Sequence, residues 1–230
     1  MDEPAIEILG EAALVLRFGN AIDEAVNARV LAARRTLDQA TLPGVVETIP
    51  AYATLTVCFD PMQQEPAALA RRVSELLRDE SPLDRVRDRL VELPVCYEGE
   101  HAPDIAELAR HAGLSVAEVV RRHSAPEYRV LFLGFAPGFP YLSGLDPALA
   151  MPRRDTPRLA VPAGSVAIGG SQTGVYPQRS PGGWQLIGRT PLALFDLARD
   201  PPCLLSAGDR LRFVPIPAAE FVRWPHGARA

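Results

Sequence analysis

Lysine is absent from this 230-residue chain: all 24 basic side chains are arginine. That excludes a lysine Schiff base, a lysine general base and a phosphate-loop lysine together. Cysteine is scarce. Cys58, Cys96 and Cys203 are odd in number, far apart and without any CxxC or Cys/His grouping. Neither a disulfide framework nor a structural zinc site is expected, and each thiol, flanked by apolar residues, reads as a small buried hydrophobe. Of the four histidines, His101, His111 and His226 have no matching ligands around them, so no metal site is expected in this chain. Long hydrophobic runs are also missing; the longest, 130–139, is too short to cross a bilayer. The acidic opening MDEPAIEILG lacks the basic and apolar regions of a secretory leader. A net charge of −4 gives no attraction for nucleic acid or an anionic membrane. The expectation is a cytoplasmic protein with neither as partner.

What is present is concentrated. Residues 134–191 hold ten glycines and nine prolines among 58 positions, a density usual in disordered chains. Disorder does not fit the large apolar side chains interleaved there, among them Phe135, Phe139, Tyr141, Val166, Ile168, Trp184 and Ile187. The reading is a folded β region with many tight turns, the kind of rigid loop on which sites are built.

Upstream, strands and helices alternate. Leu14, Leu16 and Phe18 alternate with Ala13, Val15 and Arg17 as a half-buried strand. Asn20 is placed to cap a helix whose stripe runs Ile22, Val26, Val30, Ala33, Leu37, and Pro43-Gly44 stops it. Strands follow at 45–49 and 54–59, then a helix with Leu69, Val73, Leu76 and Leu77 on one face. Residues 1–88 thus form a small α+β domain of ββαββα-like, ferredoxin-like order with helices on one side of a sheet, and the charged, proline-containing stretch 79–90 is a linker or exposed helix. Residues 89–230 open with a strand at 91–97 and a helix from 104 to 111 ending at Gly113. A second helix follows, with Ser115 and Glu118 in capping-box spacing and Leu114 against Val119. An apolar strand spans 128–135, short strands lead to a last one at 210–215, and 225–230 is a loose tail. The fold class is an α+β N-terminal domain followed by a mostly β barrel domain.

Several polar residues in the barrel domain carry two readings. GFAPGFPYL directs backbone amides outward at Gly138 or forms an aromatic corner; it matches neither a phosphate loop nor a dinucleotide fingerprint. Ser165 and Thr173 either bind ligand or bond local backbone, while Gln172 has no evident turn role. Trp184 is a pocket wall or core, and Arg189 an anion clamp or an ion-paired surface residue. Arg153, Arg154 and Arg158 make a basic loop, which is commonly just solvated. His123 either satisfies its helix end or serves as acid/base at the barrel mouth.

The segments RRHSAPEYRVLFLGFAPGFPYLSGL and TPRLAVPAGSVAIGGSQTGVYPQRSPGGWQLIGRTP resemble the PxpB/KipI family, also called allophanate hydrolase subunit 1. ALVLRFGNAIDEAVNARV, IPAYATLTVCFDP and LPVCYEGEHAPDIAELARHAGLS extend the likeness to nearly the full chain. The resemblance implies that the second domain is a cyclophilin-like barrel. It implies a B subunit of prokaryotic 5-oxoprolinase, which acts with a C subunit to phosphorylate 5-oxoproline from ATP, with magnesium, and with an A subunit to open it to glutamate. On that reading Gln172, Arg189 and His123 are catalytic. Phe135, Gly138, Phe139, Tyr141, Gly164, Ser165, Thr173, Tyr176, Trp184 and Gln185 bind substrate. The same family implies a second activity, inhibition of a sensor histidine kinase, and a third, urea- or allophanate-linked amide chemistry.

Overall fold

The computed structural model describes residues 3–78 and 89–224, and the chain divides into two compact units, Met1–Arg87 and Asp88–Ala230. Most of the charged stretch expected as a linker, and the tail from 225, lie outside the described residues.

In the first unit, β1 (Ala5–Leu9), β2 (Ala13–Arg17), β3 (Val45–Pro50) and β4 (Thr54–Phe59) form an antiparallel sheet of order β1-β2-β4-β3. Helices α1 (Glu24–Ala40) and α2 (Pro66–Arg78) pack on it. Period-two alternation points Leu14 and Leu16 of β2 and Leu55 and Val57 of β4 to one face, where they meet Val30, Ala33 and Leu37 of α1 and Leu69 and Val73 of α2. A βαββαβ chain would finish on the strand beside β2; here that strand comes first, as β1. The helix cap differs from expectation. Asp23, not Asn20, is the N-cap of α1, its carboxylate accepting from Val26 N at 2.9 Å. The chain is still irregular through Ile22, which is 53% exposed and so lies outside the apolar stripe.

The second unit is a closed barrel of β5 (Leu90–Cys96), β6 (Tyr128–Leu133), β7 (Pro140–Ser143), β9 (Ser165–Gly169), β10 (Gln172–Val175), β12 (Gln185–Arg189) and β13 (Arg210–Ile216). Its circular order is β10-β7-β6-β13-β5-β12-β9, and the β5–β13 contact is parallel. A separate ribbon pairs β8 (Arg158–Val161) with β11 (Ser180–Gly182). Helices α3 (Ile105–Ala112) and α4 (Val116–Ser124) lie against β12 and β13, and a short α5 (Ala218–Phe221) follows the last strand. Gly113 ends α3 in the left-handed region and Ser115 Oγ accepts from Glu118 N at 3.2 Å, as their spacing predicts. The apolar strand stops at Leu133, two residues early, because Phe135 takes a positive φ of 65°. Among the described residues no helix is long and apolar enough to cross a membrane.

Two apolar clusters use opposite faces of the barrel wall. Leu93, Val95, Val130, Leu142, Val166, Ile168, Ile187 and Phe213 fill the inside. Ala167 and Leu186 face the other way and join Phe139, Val161, Tyr176 and Trp184 in an outer cluster. Glycine makes this second layer possible. The Trp184 indole lies flat on Gly169, where a Cβ would stand 2.6 Å from the ring carbons. Gly169→Ala is expected to unseat Trp184 and destabilise the unit by about 1–3 kcal/mol, read as a lower urea midpoint with altered tryptophan emission.

Candidate functional site

The outer cluster is a run of aromatic rings ending at an exposed one. Tyr141 stacks on Phe132 (centroids 4.5 Å apart) and meets Phe139 at 5.0 Å; Phe139 presents edges to Tyr176 at 5.4 Å and Trp184 at 5.6 Å. Phe135 closes the run, 5.4 Å from Phe139, with 63% of its surface in solvent. A phenylalanine at positive φ is strained by roughly 1–2 kcal/mol, and such strain collects at functional positions. The turn that imposes it is braced by Ala136 N to Gly134 O at 2.7 Å and Phe139 N to Ala136 O at 3.0 Å. Gly138 sits inside that turn at φ 83°.

Arginines border the rings. The Arg153 guanidinium carbon lies 5.6 Å from the Trp184 ring centre. Arg154 and Arg158 reach one carboxylate, Asp104, at 3.4 and 2.6 Å, and Asp104 is nearly fully buried. Although Asp104 occupies the N-cap position of α3, its carboxylate makes no bond to its own helix. Its Oδ2 accepts from Leu186 N at 2.6 Å, and its own N–H donates to Leu186 O at 2.9 Å. One residue therefore ties α3, β12 and the 152–158 loop together. Sequence reasoning missed it, because residue 104 reads only as the start of the helix. Gln185 belongs here too: Nε2 donates to Pro152 O at 2.9 Å, while Oε1 is buried without a partner.

The remaining residues expected at the site are spread along the barrel. Gln172 starts β10 opposite Gly169, the residue on which the Trp184 ring packs, and is half-buried. Arg189 lies at the far end of β12 from Gln185, opposite Ser165. Its Nε donates to Ala163 O at 2.9 Å and its guanidinium lies 5.9 Å from the Phe221 ring centre, away from the aromatic run, and no carboxylate among the described residues pairs with it. Gly164 forms the adjacent turn at φ 80°, and Ser165 Oγ donates to Pro162 O at 2.8 Å, a local backbone role.

His123 is not at the barrel mouth. It is fully buried, stacked on Phe213 at 4.5 Å, with Nδ1 2.8 Å from Tyr97 Oη and Nε2 3.0 Å from Thr173 Oγ1. The network assigns the protons. Thr173 Oγ1 donates its single hydrogen to Ala167 O at 3.0 Å, so it must accept from Nε2–H, which leaves Nδ1 to accept from Tyr97. Burial pushes the imidazole down to about 3 and the Tyr97 phenol up, so both are neutral near pH 7. Tyr128 Oη donates to His123 O at 2.7 Å and satisfies the helix end. Every polar atom of this chain of bonds is used, and it ends on a backbone carbonyl; it orders the core.

Among the described residues no group of three or more His, Cys, Asp or Glu side chains is placed to hold a metal ion. The three cysteines carry free thiols, and burial pushes those of Cys96 and Cys203 up.

Comparison with known proteins places this architecture. Residues 4–205 match the family model described as carboxyltransferase domain, subdomain C and D. The chain is 45% identical over 230 residues to the 5-oxoprolinase B subunit of Bacillus subtilis, covering 94% of each chain. It is 49% identical over 212 residues to the 5-oxoprolinase B subunit of Escherichia coli O157:H7, covering 90% of this chain and 94% of that one. A solved structure of the protein TTHA0988 superposes with a TM-score of 0.79 at 43% identity over 89% of this chain, which spans 40% of that longer chain. The chain belongs to the family of the carboxyltransferase domain, subdomains C and D, where it stands beside relatives named as the B subunit of 5-oxoprolinase.

Proposed function

We propose that this chain is the B subunit of an ATP-dependent 5-oxoprolinase, working with a C subunit to phosphorylate 5-oxoproline and with an A subunit to open the ring to L-glutamate. One observation carries the reading: identity of 45% runs through 94% of both this chain and a relative of that name, leaving no large part of either unmatched. The chemistry needs an activated amide, because a lactam carbonyl is a poor electrophile. Transfer of a phosphoryl group to its oxygen makes the carbon electrophilic; addition of one water then breaks the C–N bond and leaves the ring-opened acyl phosphate, which a second water hydrolyses to the carboxylate and free phosphate.

This chain has no lysine, so binding of anionic substrate groups on it falls to arginine, backbone amides and Gln172. The exposed, strained Phe135 is the element we assign to partner contact, since exposed aromatic anchors dominate protein interfaces. The test is 5-oxoproline-dependent ATP hydrolysis and glutamate release, with this chain alone and mixed with purified A and C subunits. Turnover is expected only from the full mixture. Phe135→Ala is expected to raise the concentration of this chain needed for half-maximal activity by about tenfold or more. Gln172→Ala is expected to lower turnover when the other two subunits are saturating. Absence of turnover from a verified, well-folded mixture would sink the proposal.

A further inference from the structure

The loop 152–158 carries three arginines, and a single buried carboxylate answers them. Asp104 already takes three donors: Leu186 N, Arg154 Nη1 and Arg158 Nη2. Asp155, the other carboxylate of the loop, is exposed and pairs with none of the three. Arg153 is exposed over Trp184, and no carboxylate among the described residues pairs with it. Beneath it, Arg154 Nε and Arg158 Nη1 are buried without an acceptor. Ser180 Oγ is likewise buried and unpartnered, on the strand that pairs with the one bearing Arg158. Buried guanidinium donors without acceptors are costly, and native proteins rarely leave several together. The group this corner lacks is an acceptor with negative charge.

We propose that the Arg153–Arg158 loop, together with the face of Trp184, is a binding site for a small-molecule oxyanion, a carboxylate or a phosphate. The guanidinium fork matches both in geometry, and Arg153 is held ready by the indole. Arg154 and Arg158 keep 35% and 25% of their side-chain surface exposed, while Asp104 fixes one nitrogen of each. Net positive charge is local: three guanidinium groups meet one paired carboxylate in a chain of net charge −4. The inference stands on this donor surplus and not on the oxoprolinase reading, although it would supply that reading with a holder for the substrate carboxylate or a nucleotide phosphate.

The chain has two tryptophans, Trp184 and Trp224, so two indole N–H resonances of the ¹⁵N-labelled full chain report separately, and Trp224→Phe assigns them. We would titrate with inorganic phosphate and, separately, with 5-oxoproline, each against sodium chloride of equal ionic strength. A saturable shift of the Trp184 resonance is expected with at least one probe, and apparent affinity should fall about tenfold in Arg153→Gln, which leaves the Asp104 pairings in place. Saturation by phosphate alone assigns a phosphate; saturation by 5-oxoproline alone assigns a carboxylate; saturation by both assigns a general oxyanion site. No saturable shift with either probe, or one undiminished in Arg153→Gln, overturns the proposal. The readout needs neither a partner protein nor turnover, so its failure is separable from failure of the enzyme reading.

Discussion

Acidification from pH 6.5 to 4.5 is expected to remove about 2–3 kcal/mol of stability from the barrel unit, near 1.4 kcal/mol per pH unit. The cause is His123. In the unfolded chain this imidazole takes up a proton below about 6.5, whereas in the fold burial holds it neutral down to about 3. Between those limits the unfolded state binds more protons, so stability falls with pH and the loss levels off near pH 3. His101, also lowered by burial, acts in the same direction. Glu118, held near 2 by the Arg121 and Arg122 guanidinium groups, adds its own loss only below its usual 4.5, leaving the upper window to the histidines. Urea midpoints at pH 7, 5.5 and 4.5 measure the slope. His123→Gln should be less stable at pH 7 and have a shallower slope across that window, keeping only the His101 share; a slope unchanged in the variant would acquit His123.

Asp104→Ala is expected to cost about 3–5 kcal/mol, the scale for removing one partner from a buried charged group. The change strands Leu186 N–H inside the protein and leaves Arg154 and Arg158 facing each other without their shared carboxylate. Asp104→Asn, which keeps an oxygen for Leu186 N, should fall between wild type and alanine. Chemical denaturation distinguishes the cases, and a loss below about 1 kcal/mol in Asp104→Ala would mean that the two arginines find other acceptors at little cost.

Much of the architecture is readable from spacing. Alternation in β2 and β4, the α1 stripe from Val26 to Leu37, the Gly113 stop and the Ser115–Glu118 cap all act over a few residues, and all appear at or near the expected positions. The ββαββα-like order has a place for β1, but its residues could not be assigned because it is an edge strand: Ile8 and Leu9 are exposed at 53% and 60%, so no buried face enforces a clean alternation. The site was less legible. Its aromatic residues were found, since Phe139, Tyr141, Tyr176 and Trp184 stand within one glycine-rich stretch, but their second layer depends on side chains meeting across strands. His123 carried a signal that helical geometry would have decoded. It follows Val119 by four residues and so occupies the same face of α4, the buried one. Asp104 carried none, because its partners come from 50 to 82 residues downstream.

The parallel contact of β5 with β13 joins strands 120 residues apart. During synthesis, a nascent chain that has already delivered β12 still holds β5 and β6 with open edges, since β13 is the strand that lies between them. Closure therefore waits for β13, long after the first unit has all its strands and helices in hand. In that interval the open edges are templates for the strands of neighbouring nascent chains, and exchange of β13 between two copies is the misassembly to which this topology is most exposed.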